Sequence, residues 1–340
     1  MKHNWIVLLA TLLLIAGVLA GCGNSEKAEG SKVDTTNTQA AGDAEASPDK
    51  QEEQEADAQD ATDEHTTRVI AHQAGETQIS GTPERVVVME YGLLGSVLAL
   101  DVQPIGYADD ERISTLEELG FLEQMGDYTP VGTRQQPNLE VIRTLKPDLI
   151  IGDYARHAEV YEQLSDIAPT ILLPDTKATY DDALDNHLII GEALGKREEA
   201  EAALQAHQQL LEETVKLLPA DKSYAIVALG DAVFNIRTNN FFQPSMLEGA
   251  GLNYALIDDQ GETSIKASIE QMLEIDPDVM FVTHPEQLEQ WEGDPLFAQL
   301  KAVQTEQVYP VLHSKWSFAR SIPGADVVLE ELQQLAPSIQ

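Results

Sequence analysis

The hydrophobic pattern along the chain is a short apolar run followed by a helical stripe, used several times. Arg85-Val86-Val87-Val88-Met89 predicts a buried strand after Gly81-Thr82-Pro83. Leu93, Leu94, Val97 and Leu98 then recur at helical spacing towards Leu100. Pro104-Ile105-Gly106-Tyr107 starts a second strand. Leu139, Ile142 and Leu145 predict a helix that Pro147 stops, and Leu149-Ile150-Ile151 predicts the strand after it. Val160 to Ile167 reads as a helix, Thr170 to Leu173 as a strand, and Ile226 to Leu229 as another strand. Strands alternating with helices in this way predict α/β architecture with mostly parallel strands.

One of these units occurs twice. LEVIRTLKPDLII (139–151) aligns without a gap on IEQMLEIDPDVMF (269–281). Glu140, Pro147 and Asp148 match Glu270, Pro277 and Asp278, all at an offset of 130. The economical expectation is two similar Rossmann-like lobes, 67–195 and 219–340. Between them, 196–218 has no Gly or Pro and is rich in Ala, Glu, Gln and Leu, which predicts one long interdomain helix. Gly195 and Pro219-Ala220-Asp221 mark its ends.

The first 66 residues have a different pattern. In 1–22, Lys2 precedes an apolar run from Ile6 to Val18, and small residues follow, as in a secretory signal. Leu19-Ala20-Gly21-Cys22 ends this segment, and Cys22 is the only cysteine, so an internal disulfide is excluded. In 23–66, Val33 is the only large aliphatic residue, and thirteen acidic residues face three lysines. Such a segment cannot bury enough apolar surface to offset its ordering entropy, so a disordered acidic tether is expected. The whole chain carries a formal net charge of -37, which argues against nucleic acid as a partner.

Against that acidity, the arginines at the loop ends stand out. Arg134 and Arg156 flank one helix–strand unit, where open α/β sheets bind ligands, and Arg offers forked donors that match carboxylates. Arg237 follows the expected strand Ile226 to Leu229 and a loop. Tyr91 falls where a pocket floor is expected, and Glu90 is expected to orient an arginine rather than meet a ligand. His157, His284 and His313 fall in loops, but no HxH or HxxxH spacing occurs, so no direct metal ligation is expected. No GxSxG or GxxxxGK motif and no nucleophilic cysteine in the body supports an enzyme.

Several segments carry a resemblance: the Leu-Ala-Gly-Cys motif, RVVVMEYGLLGSVLALDVQPIGYADD, VGTRQQPNLEVIRTLKPDLIIGDYARHAEVYEQLSDIAPTILL, YDDALDNHLIIGEALGK and DPLFAQLKAVQTEQVYPV. Together they resemble the siderophore-type substrate-binding lipoproteins of bacterial ABC importers, nearest to those that bind ferric dicitrate. The resemblance implies a lipid anchor at Cys22 on the extracytoplasmic face of the membrane. It implies a monomer that delivers an anionic ferric chelate, Fe(III)-citrate, to a transmembrane permease dimer with its ATPase. It places Arg134, Arg156 and His157 at the mouth of lobe one, and Trp316 with Arg320 in lobe two. It also implies that Glu140 and Glu270 dock on the permease, one per lobe. No cofactor is expected. Two other readings stay open: a receptor of the same fold for a hydroxamate or catecholate siderophore or haem, and an α/β lyase or chelatase using Glu90, His157 or His284 as acid–base.

Overall fold

The structure is a computed structural model, and it describes residues 66–340. The signal segment with Cys22 and all of the acidic segment but Thr66 lie outside the described residues. The described residues fall within one unit, Gln59–Gln340.

An antiparallel hairpin comes first, β1 (Thr67–His72) with β2 (Gly75–Ser80), and the sequence pattern did not disclose it. Its residues alternate in burial, with only Ile70 and Ile79 fully inward, so its apolar signal is weak.

The first lobe is built on β3 (Val86–Val88), β4 (Gly106–Tyr107), β5 (Thr129–Pro130), β6 (Leu149–Asp153) and β7 (Thr170–Leu173). Their order is β5-β4-β3-β6-β7, and every pairing is parallel. β3, β6 and β7 are buried throughout, as expected of strands covered on both faces. Gln73 N–H donates to the Leu172 carbonyl at 3.0 Å, which fastens the hairpin beside β7.

The second lobe has β8 (Ser223–Leu229), β9 (Phe234–Arg237), β10 (Asn253–Tyr254), β11 (Ser264–Ala267), β12 (Val279–Val282) and β13 (Val308–Pro310). The order is β11-β9-β8-β12-β13, with β10 also on β8. This sheet is mixed. β12 runs parallel to β8 and β13, but β9 is antiparallel to β8 and β11. The cause is local: β8 returns through Gly230-Asp231-Ala232-Val233, closed by Gly230 N–H to the Val233 carbonyl at 2.9 Å. A link that short allows a hairpin but no crossover.

The internal repeat is visible in detail. The helices Leu139–Leu145 and Ile269–Ile275 are capped by Asn138 and Ser268, and both end on a left-handed residue, Lys146 and Asp276. Asp148 accepts hydrogen bonds from Arg85 N–H and Glu84 N–H, and Asp278 accepts one from Ser223 N–H, all at 2.9 Å. Each aspartate thus satisfies the amides that lead into the neighbouring central strand.

The long helix is present as Arg197–Val215, about 28 Å at 1.5 Å per residue. A second helix, Tyr180–Ala193, shares the crossing. Its Tyr180 and Ala183 belong to the lobe-two core, whereas Ile190 and Ala193 belong to the lobe-one core. Gly195, at φ +71°, turns the chain back. Ala200 then packs in lobe one, and Leu204, Leu210, Leu211 and Val215 pack on lobe two. Among the described residues, no helix is long and apolar enough to cross a membrane.

The lobes also meet directly. The helix Tyr91–Leu98 lies against Arg320 and Ser321, with Gly92 at the contact. A Cβ on Gly92 would overlap the Arg320 carbonyl oxygen and Asp175 Oδ2. The Asp175 carboxylate is held there by Leu93 N–H at 3.1 Å, so it cannot give way freely. Gly92→Ala is expected to lower unfolding stability by about 1–3 kcal/mol through overpacking. Urea denaturation checks this, and a change within about 0.5 kcal/mol, the range of neutral surface changes, would contradict the close packing.

Candidate functional site

The chemically rich residues of lobe one stand just past the carboxyl ends of its parallel strands. Glu90 follows β3, Asp110 and Arg112 follow β4, Arg134 follows β5, Arg156 follows β6 and Asp175 follows β7. This is the edge where an open parallel sheet leaves its ligand crevice. Asp110, Arg112, Thr133, Arg134, Gln135 and Arg156 line a cavity of about 290 Å³ there.

Glu90 lies beneath the cavity at 0 % exposure. Arg134 Nη1 donates to its Oε2 at 3.2 Å, and Arg134 Nε donates to Asp110 Oδ2 at 2.6 Å. Arg156 Nε is 2.5 Å from Glu90 Oε1, but its N–H points to Thr176 Oγ1 at 2.9 Å. The contact is therefore an ion pair without a hydrogen bond along it, and Oε1 has no hydrogen-bond donor among the described residues. Burial, with the Asp175 charge, pushes the Glu90 carboxyl up to about 7, while Arg134, Arg320 and Arg156 pull it down. Burial also works against the Arg134 charge, but Glu90 and Asp110 more than offset it and raise the pKa of the guanidinium. Glu90 thus does the orienting work the sequence suggested.

His157 is fully buried and serves the scaffold. Its Nδ1 accepts from Asp153 N–H at 2.9 Å, so the proton sits on Nε2, which donates to the Arg134 carbonyl at 2.7 Å. Burial lowers its pKa, in keeping with a neutral ring. The histidine fixes the loop that carries Arg134 and does not line the cavity.

Arg320 and Trp316 depart from the expected placement. The Arg320 side chain donates to the Asp175 carbonyl at 2.8 Å, to Asp175 Oδ1 at 2.7 Å and to the Ser317 carbonyl. It bridges the lobes with its donors engaged by protein. Trp316, at 0 % exposure, packs against Phe281 with its ring tilted in the lobe-two core and donates its indole N–H to Glu331 at 2.8 Å. The residue that faces lobe one from this turn is Phe318. Its ring stacks on Tyr91 at 5.4 Å, and the Arg134 Cζ lies 4.4 Å from the Tyr91 centroid and 5.6 Å from that of Phe318. Tyr91 is buried and supports the arginine from below through its ring face. The Arg237 guanidinium lies over Phe241 at 4.3 Å, and burial, with the Arg320 charge, lowers its pKa.

Sequence reasoning missed Arg112, Asp110 and Asp175. Their positions just past the strand ends were the available signal; β4 is only two residues long, which blurred it. Glu140 and Glu270 are exposed in the first turns of their helices, away from the cavity lining. Among the described residues, no three of His, Cys, Asp and Glu gather as a metal site.

Comparison with known proteins matches residues 86–312 to the periplasmic binding protein family. The chain is 34% identical over 337 residues to the Fe(3+)-citrate-binding protein YfmC of Bacillus subtilis, covering 97% of this chain and 96% of that one. It is 35% identical over 262 residues to the Fe(3+) dicitrate-binding periplasmic protein FecB of Escherichia coli, covering 76% and 86%. Staphylococcus aureus SirA, solved in complex with staphyloferrin B, superposes with a TM-score of 0.68 at 25% identity, covering 81% and 99%.

The Arg320–Asp175 pair makes a clear prediction. Removing one partner strands the other charge in a dry contact, so Arg320→Ala is expected to cost about 3–5 kcal/mol of stability. Chemical denaturation of the purified protein measures it. Unchanged stability with weakened ligand binding would return Arg320 to the pocket.

Proposed function

The chain belongs to the periplasmic binding protein family, and from that premise we propose that it captures ferric citrate at the arginine-lined cavity and delivers it to an ABC permease. The observation that carries this is the cavity itself. Arg112, Arg134 and Arg156 converge on it from three different strand ends, and its lining holds no aromatic ring. Guanidinium forks suit a chelate whose surface is carboxylate. Relatives that bind ferric citrate or dicitrate match at 34% and 35% identity. The iron is cargo, wrapped in ligand oxygens, and the protein reads the wrapping. The protein acts as a binder rather than an enzyme. Cys22 supplies the lipid anchor outside the membrane, and the acidic segment behind it is the tether.

The test is calorimetry with preformed Fe(III)-citrate. Arg134→Ala and Arg156→Ala are each expected to lose about 2–5 kcal/mol of binding free energy, as for truncation of a buried charge partner. Wild-type affinity in both variants would remove the site.

Permease docking is proposed for Glu140 and Glu270. They hold the same place in the repeated unit, one per lobe, and both are exposed. Two like carboxylates suit a partner with two-fold symmetry. The double change to Ala is expected to leave Fe(III)-citrate affinity intact and to impair iron-citrate uptake by cells. Normal uptake would reduce both residues to favourable charges at helix N-termini.

A further inference from the structure

Beside the cavity, lobe two presents two imidazoles that no role above uses. His284 follows β12 and His313 follows β13, so both stand at the carboxyl ends of parallel strands. Their ring centroids are 4.3 Å apart, with planes inclined at 50°. The His313 ring meets Phe318 edge-on at 5.1 Å, and Phe318 in turn stacks on Tyr91 beneath Arg134. The pair is therefore joined, through Phe318 and Tyr91, to the ring face that supports Arg134.

Its surroundings are cationic. Arg112 from lobe one and Arg237 from β9 act on His313, as does His284, and Lys315 lies on its own short helix. Among the described residues, no carboxylate comes within 4.0 Å of Arg112, Arg237, His284 or His313, whereas Arg134, Arg156 and Arg320 are each paired with one. The Nδ1 atoms are occupied, His313 with Ser317 Oγ at 3.3 Å and His284 with Thr283 Oγ1 at 3.4 Å. Neither Nε2 bonds to a described residue, and both rings are half-buried rather than sealed. Burial first, then His284, Arg237 and Arg112, hold the His313 pKa down to about 4. In the empty protein this ring is neutral at neutral pH.

We propose that the His284–His313 pair, with Arg112 and Arg237 as its fixed charges, is a proton-coupled anion subsite that takes up a proton when a carboxylate of the ferric chelate enters. The inference rests on the ferric citrate reading and deepens it. The neutral His313 ring is the form that the surrounding cations favour while the site is empty. An entering carboxylate reverses the local potential, and Nε2 becomes a charged donor to it. The sign follows from linkage. The pKa in the complex is raised above its free value, so affinity gains as pH falls between the two values, by up to about tenfold per pH unit for one proton.

The test is calorimetry with preformed Fe(III)-citrate at pH 6 (an order-of-magnitude choice, about two units above the free His313 value) in buffers of different ionisation enthalpy, which counts protons taken up on binding. The pair's share is the difference between wild type and the double variant His284→Asn, His313→Asn. Wild type is expected to take up more protons than the variant. Equal counts with binding retained overturn the subsite and leave the function standing; no binding by wild type overturns both. Should the variant fail to fold, diamagnetic Ga(III)-citrate on wild type gives the same answer by NMR: the His313 ring signals move to imidazolium positions on binding, or their failure to move overturns the proposal.

Discussion

A carboxylate buried at the end of β3 organises the whole binding edge. Glu90 has no water to turn to, so cations from other strands must come to it. Arg134 arrives from β5 and Arg156 from β6. The bonds continue from there. The Arg134 carbonyl holds His157, His157 holds Asp153 N–H, and Asp153 accepts from Asp175 N–H at 3.0 Å and Thr176 Oγ1 at 2.7 Å. Asp175 then reaches Arg320 in the other lobe. One connected polar circuit thus joins four strand ends of lobe one to lobe two. Its arginines are already in place before any ligand arrives, with Tyr91 and Phe318 setting the plane of one guanidinium.

Much of this was legible in the residues. The apolar runs of β3, β6 and β7 and the helix between Leu139 and Leu145 declared themselves, because buried strands and a capped helix leave strong local patterns. The 130-residue offset identified the repeat, and Asp148 and Asp278 do equivalent work in it: each accepts from an amide that leads into the neighbouring central strand. What stayed hidden was decided at long range. Arg320 could be seen as a cation near an aromatic, but its capture by Asp175, 145 residues away, could not. Trp316 and Phe318 are two residues apart, and only the fold decides which of them turns inward. The β1–β2 hairpin has too few buried side chains to announce itself.

The two lobes share a unit but not a sheet. Lobe one runs wholly parallel, so its loops gather on one edge and carry most of the site. In lobe two, the four-residue return after β8 reverses β9, while the loops after β12 and β13 stand at the carboxyl ends of parallel strands. The charged guanidiniums that line the cavity come from the first lobe, and the titratable rings beside it come from the second. This division follows from strand direction rather than from any special placement of individual residues.

The paired helices between the lobes have a mechanical consequence. Each begins in one core and ends in the other; Tyr180 of the first bonds His207 of the second at 2.5 Å, and His207 bonds Asp326 of the helix Ile322–Leu335 at 2.5 Å. Two helices joined in this way resist sliding past one another more than either does singly, since shear between them must break that contact. Such a beam stores little bend.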